Sequence, residues 1–405
     1  MKKVYIITGA NGFLGNNIVR KLLETTKNIR VLVLPNDKIN SINNLECEIY
    51  YGDITKSETL KDIFTKREDE EFVVIHCAAF VYIKSKPNSK VFEVNVNGTR
   101  NIANKCLETN SRLIYVNSVH SIPEPKDDKE IVEISEFNQD LVEGIYAKSK
   151  AEAGNLVLDY VRNKNLNATI IQPSGIIGPG DYGMTHMTRL MLELAKQKLP
   201  AIVNGGYDFV DVRDVVNGII SAIDNGKVGE CYILSNRYVT IEEIAKNIYK
   251  NNGNSKIPMV LPISLVKIVA PICEKYYNMR KKVPLFTKYS LYTLQAKSNF
   301  SHKKATNELG YTTRSLEETI NDTIKWFIDT YRIEAKSKSF KSKGLYEDAL
   351  FDSHITIMEA DKVSRIRSKD NTQLSYLQDY NEVKTDEKQK IDETNTGKEA
   401  EETER

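Results

Sequence analysis

Tyr146 and Lys150 stand four residues apart in Glu143-Gly-Ile-Tyr-Ala-Lys-Ser-Lys150, so on a helix their side chains share one face. A free tyrosine has a pKa of about 10, too high for a base near neutral pH. A neighbouring ammonium favours the phenolate and pulls that value down. Tyr146 could then pass a proton to or from a carbinol oxygen. Ser118, which follows the apolar run Leu113–Val116, could hydrogen-bond the same oxygen and hold it. A Tyr/Lys pair at this spacing also occurs on ordinary helix surfaces, so the rest of the chain must supply a partner reagent.

That reagent is indicated by Val4-Tyr-Ile-Ile-Thr-Gly-Ala-Asn-Gly-Phe-Leu-Gly15. An apolar, β-branched strand meets glycines at 9, 12 and 15, and Phe13–Leu23 then takes helical spacing. Strand, tight turn and helix in this order fit a dinucleotide, whose pyrophosphate sits on the positive end of the helix. A glycine-rich turn without a ligand is the plainer reading, and the flanking strand and helix weigh against it.

Further strands are expected over Ile29–Leu34, Glu48–Tyr51, Phe72–His76 and Leu113–Val116, with helical patterns between them, including Val91–Cys106. Nearly all-apolar strands alternating with helices predict a doubly wound α/β fold, a parallel sheet covered on both faces. Ligands in such sheets lie off the carboxyl ends of the strands, where Gly9, Asp53, Ala78 and Ser118 would converge. After the second strand, an acidic residue would bind the ribose 2′-OH of NAD, whereas an Arg would admit the phosphate of NADP. Here stand Leu34, Pro35, Asn36 and Asp37, which leans to NAD, with a turn cap as the alternative for Asp37. Asp53 could accept from an adenine amino group or cap a helix starting near Ser57. His76 reads as a satisfied core residue, and Ala78 and Ala79 let a flat ring approach the backbone.

This combination resembles the short-chain dehydrogenase/reductase superfamily in its extended branch, over about residues 3 to 330. Within that branch it resembles the NAD-dependent epimerase/dehydratase family, on its dihydroflavonol-reductase-like side. The resemblance implies a Rossmann domain over 1–175, completed by about 206–235, and a smaller substrate lobe from 176–205 and 236–333. It implies a catalytic set of Ser118, Tyr146 and Lys150, with Asn95 of Val94-Asn-Val-Asn-Gly-Thr99 as structural and proton-relay asparagine. It implies NAD or NADP contacts from Gly9, Asn11, Gly12, Phe13, Leu14, Gly15, Asp37, Asp53, Ile54, Ala78, Ala79 and Pro173, with Tyr146 and Lys150 also reaching the cofactor, whose positive oxidised nicotinamide would join the ammonium in favouring the phenolate. Asn117 departs from the usual serine beside the catalytic one, and Gln172 stands where an arginine is usual. Asp211 and Asp214 are expected to be structural, and Arg213 to pair with a carboxylate. The implied activity is interconversion of a carbonyl and a secondary alcohol on a small or apolar substrate by hydride transfer. The alternatives are a nucleotide-sugar epimerase/dehydratase, which needs cations around a diphosphate and finds chiefly Arg189 and Arg213 as candidates, and a non-catalytic dinucleotide sensor.

Of 405 residues 40% are apolar and the net charge is +2, which implies no nucleic-acid partner. Five scattered cysteines suggest reduced thiols in a cytoplasmic protein, with no metal site. The apolar stretch 257–273 is too interrupted to span a membrane. Pro258–Tyr277 and Val283–Leu294 could line a pocket, or dock on a membrane with Lys281 and Lys282 at the headgroups. Helical spacing makes lobe core the plainer reading. Residues 334–405, lysine-serine-rich and then acidic, are expected to be a disordered tail able to bind an unidentified partner. Family members commonly dimerise, so a homodimer is a candidate assembly.

Overall fold

The computed structural model describes residues 1–82, 88–125, 127, 129–251, 256–266 and 288–333. The tail expected over 334–405, Lys281, Lys282, Cys273 and parts of the two apolar lobe stretches lie outside the described residues.

The first half alternates strand and helix: β1 (Lys2–Thr8), α1 (Phe13–Leu23), β2 (Ile29–Val33), β3 (Glu48–Tyr51) and β4 (Glu70–His76). Then come α2 (Lys90–Phe92), α3 (Thr99–Glu108), β5 (Arg112–Val116), α4 (Ile145–Lys164) and β6 (Ala168–Pro173). β7 (Gly175–Ile177), α5 (His186–Ala195), β8 (Ala201–Val203), β9 (Gly206–Asp211), α6 (Val212–Asn225) and β10 (Cys231–Leu234) follow. The central sheet has seven parallel strands in the order β3-β2-β1-β4-β5-β6-β10, the doubly wound arrangement.

Successive side chains of a strand face opposite ways, and here both directions are buried. Ile6, Val74, Tyr115 and Ile170 pack with Ile102, Ala103 and Val157 of α3 and α4. Ile7, Ile75, Ile114 and Ile171 pack on the other side with Ile18, Val19, Val215 and Ile219 of α1 and α6. Arg30, inside β2, is 1% exposed and is made tolerable by two bonds to Glu70, at 3.0 and 2.7 Å, and by the carbonyls of Ile63 and Thr65.

The helix expected over Val91–Cys106 is interrupted. Between α2 and α3, Glu93–Gly98 forms a π turn that carries Asn95. β9 leaves the central sheet and pairs with β7 and with β11 (Arg237–Thr240), while β8 pairs with β12 (Met259–Leu261). α7 (Ile241–Asn251), α8 (Lys288–Thr293), α9 (Lys303–Leu309) and α10 (Leu316–Asp329) complete the described chain. No helix among the described residues is long and apolar enough to cross a membrane.

Candidate active site

β1 ends at Thr8 and the chain turns at Gly9, whose φ of +69° suits glycine. A methyl group on Gly15 would lie 2.2 Å from the Gly9 carbonyl oxygen, so the start of α1 can approach the loop only without one. Gly12 caps α1 with no side-chain acceptor, and the first turn holds no acidic residue. The leading N–H groups of this helix, including those of Phe13 and Leu14, thus face no acidic side chain of their own first turn, which fits a pyrophosphate.

The other expected cofactor residues are placed unevenly. Asn11 braces the neighbouring loop, donating to the Lys38 carbonyl at 2.6 Å and accepting from Ser41 at 2.6 Å. Asp37 closes a turn through its backbone N–H to Leu34 at 3.1 Å, and its side chain is exposed. Asp53 does not cap the helical turn Ser57–Leu60, whose cap is Lys56. Its Oδ1 accepts instead from the backbone and hydroxyl of Thr55, at 2.9 and 2.8 Å. Ile54 is buried against Gly98, where an added methyl would come within 2.6 Å of it. Ala78 and Ala79 follow β4, and the Ala78 N–H donates to Thr8 Oγ1 at 3.2 Å. Pro173 ends β6 beside Leu234.

Ser118 follows β5 and caps a short turn, Val119–Ser121, accepting from His120 N at 3.2 Å. α4 brings Tyr146 to this turn, where the Ser118 hydroxyl favours the ionised form of the phenol. The Tyr146 ring meets His120 edge-on, centroids 6.2 Å apart, and His120 stacks on Tyr207 at 5.4 Å. Lys150 is 2% exposed, donates to the Val116 carbonyl at 2.8 Å and lies 5.0 Å from the Tyr115 ring centre. Asn95 holds the Phe80 backbone with both ends of its amide and donates to Ser149 Oγ at 2.9 Å.

In the protein alone, burial sets the direction of the Tyr146 shift. Burial pushes Tyr146 up to about 12, with Ser118 only partly offsetting it. Burial also drops Lys150 to about 7, so much of the charge that would stabilise a phenolate is lost at neutral pH. At neutral pH burial therefore favours the protonated phenol. His120 is held neutral, pushed down to about 4 by burial.

Two cavities adjoin this cluster, and His120, Tyr207 and Thr293 line both. One, of about 180 Å³, is walled by Met187, Leu190, Phe209, Ile241 and Leu294. The other, of about 230 Å³, has Glu124, Asp140, Glu143 and Lys297 on its walls. His120 and Tyr207 were not singled out by spacing; the signal was a histidine two residues past Ser118 in a turn at a strand's end. Arg213 is committed elsewhere, bonded to Asp211 at 2.7 Å and paired with Asp322. Gln172, buried in β6, donates to Ser121 Oγ at 3.2 Å.

A parallel doubly wound sheet with a glycine loop on its first strand, and a Ser/Tyr/Lys set off its fifth strand and the following helix, defines a nicotinamide-dependent enzyme class. The family model described as "NAD dependent epimerase/dehydratase family" matches residues 5–235, and the chain belongs to that family. It is an enzyme of the extended short-chain dehydrogenase/reductase type, an oxidoreductase whose cofactor is NAD or NADP. It is similar to sterol demethylase protein B of Methylococcus capsulatus, 27% identical over 331 residues, covering 80% of this chain and 97% of the relative. It is also similar to a putative dihydroflavonol 4-reductase of Synechocystis, 27% identical over 342 residues, covering 81% and 95%. The crystal structure of gox2253 matches with a TM-score of 0.70 at 30% identity, covering 82% of this chain and all of the other.

Proposed function

We propose that the protein interconverts a carbonyl and a secondary alcohol on an uncharged, apolar substrate. The observation that carries this reading is the cavity beside His120, walled by His186, Met187, Leu190, Phe209, Ile241 and Leu294, with no Arg or Lys among its described lining residues. A nucleotide-sugar diphosphate would need cations there, since burying phosphates unpaired is very costly. The adjoining cavity offers Lys297 against three carboxylates, and Arg213 is bound to Asp211 and Asp322. The sterol and dihydroflavonol in the relatives' names are in keeping with an apolar body.

When bound, the nicotinamide supplies or accepts hydride at its C4. In the reducing direction Tyr146 gives its phenolic proton to the carbonyl oxygen, and Ser118 holds that oxygen through its hydroxyl. Lys150 holds the ribose and accepts or donates a proton near neutrality. Asn95 keeps the Phe80 segment and the start of α4 in place. Gly9, Gly12, Phe13, Leu14 and Gly15 hold the pyrophosphate, Asp53 and Ile54 the adenine, Asp37 the ribose 2′-OH, and Ala78, Ala79 and Pro173 flank the nicotinamide half. Segments 176–205 and 236–333 supply the substrate lobe.

A thermal-shift screen in the presence of NADH tests the reading. Apolar ketones are expected to raise Tm and UDP- and dTDP-sugars to leave it unchanged; stabilisation by a nucleotide sugar alone would overturn it in favour of an epimerase.

A further inference from the structure

We infer that His76 is a positioning residue, the centre of a one-directional hydrogen-bond wire that ties the cofactor loop to the helix bearing Tyr146. His76 ends β4 and is 0% exposed. On one side the Ala78 N–H donates to Thr8 Oγ1 at 3.2 Å, which leaves the Thr8 hydroxyl hydrogen for His76 Nδ1 at 2.7 Å. On the other, the Thr99 hydroxyl hydrogen goes to the Asn95 carbonyl at 2.7 Å, and its oxygen accepts from His76 Nε2–H at 3.0 Å. With the Thr99 hydrogen on the Asn95 carbonyl, Nε2 must carry the hydrogen that Thr99 accepts, and in a neutral ring Nδ1 is then the acceptor for Thr8. Burial enforces neutrality, and the charge of Lys150 acts in the same direction.

The first run ends on the Asn95 backbone carbonyl, and a second starts from the side-chain amide of the same residue, so the covalent frame of Asn95 joins them. Asn95 donates to Ser149 Oγ at 2.9 Å, and the Ser149 hydroxyl donates to the Tyr146 carbonyl at 2.7 Å. One end thus sits next to Gly9 and Ala78, and the other on the backbone of the proton donor. Asn95 belongs to the π turn Glu93–Gly98, a local irregularity of the kind that clusters at functional sites. The His76 ring also stacks on Tyr115 at 5.7 Å, which contacts Lys150. A residue that only filled the core would need none of this directionality.

The test compares Thr8→Val, His76→Phe, the double variant and His76→Gln in the full chain. Phe keeps a ring against Tyr115 and removes both bonds, whereas Gln can accept from Thr8 and donate to Thr99. In NADH fluorescence titrations, Thr8→Val and His76→Phe are each expected to weaken binding about fivefold, and the double variant no further, because the two groups act as one unit. His76→Gln is expected to bind within about twofold of wild type. With a ketone that the wild type reduces, the single variants lower kcat about tenfold or more and leave KM unchanged. This turnover arm alone rests on the proposed function. Multiplicative effects in the double variant, or Phe and Gln variants that bind NADH as wild type and differ only in Tm, would overturn the inference. If His76→Phe does not fold, Thr8→Val and His76→Gln still decide. Should the wild type reduce no ketone while the binding arm behaves as stated, the proposed function falls and the wire stands.

Discussion

Lys150→Met removes an ammonium that is 2% exposed and hydrogen-bonded to the Val116 carbonyl. Burial lowers its pKa from 10.5 in an open chain to about 7 in the fold. Between those values the unfolded chain binds a proton that the folded chain has released. Stability attributable to Lys150 therefore rises with pH from about 7 upward, and the charging cost is fully present below that value. A full proton difference is worth about 1.36 kcal/mol per pH unit. Weighted by the fraction of Lys150 that has lost its proton, the gain from about pH 7 to about pH 8.5 is on the order of 1–2 kcal/mol. Cysteines of the unfolded chain begin to ionise in the same range and pull the other way. They are common to both proteins, so the quantity to measure is wild type minus Lys150→Met. Urea melts of cofactor-stripped protein at several pH values give it. A difference that stays flat would show that Lys150 keeps its ordinary pKa in the fold, and the account of a lysine exchanging protons near neutrality would be refuted.

Gly15→Ala places a methyl 2.2 Å from the Gly9 carbonyl oxygen and 2.8 Å from Ala10 Cα, both backbone atoms that cannot swing aside. Overpacking of about 1–3 kcal/mol is expected in thermal melts, together with loss of NADH binding by fluorescence. Gly310→Ala is the control: φ is +65° with nothing within 4 Å, so about 1 kcal/mol is lost and NADH binding is kept. Arg213→Leu strands Asp211, which is 1% exposed, and should cost about 3–5 kcal/mol in urea melts without altering NADH affinity. A selective loss of substrate affinity would make Arg213 a ligand of the substrate.

Local chemistry was legible where one short segment determines it. The glycine loop and the strands around it follow from period and glycine placement, and Glu48–Tyr51 was located to the residue. Asp211, Asp214 and Arg213 were recognisable as a structural charge cluster, and Arg213 pairs as expected. What escaped depends on distant parts of the chain. The direction of the Tyr146 shift in the protein alone follows from burial, and no spacing reveals burial. The π turn inserts without breaking the apolar pattern of Val91–Cys106, so the helix reads as continuous. Asp53 could be read as a cap or an adenine contact, and its Thr55 bonds are a third arrangement, set by a hydroxyl two residues on. His120 and Tyr207 are 87 positions apart, and only the fold stacks them.

The central claim is that Tyr146 delivers a proton to the oxygen of an uncharged apolar carbonyl. It is tested most directly by following NADH consumption with a panel of apolar ketones in wild type and Tyr146→Phe. The account predicts turnover by the wild type, a fall of about a hundredfold to ten-thousandfold in the variant, and NADH binding intact in both. A Tyr146→Phe protein as active as wild type, or interconversion of a nucleotide sugar with no net NADH consumed, would contradict it.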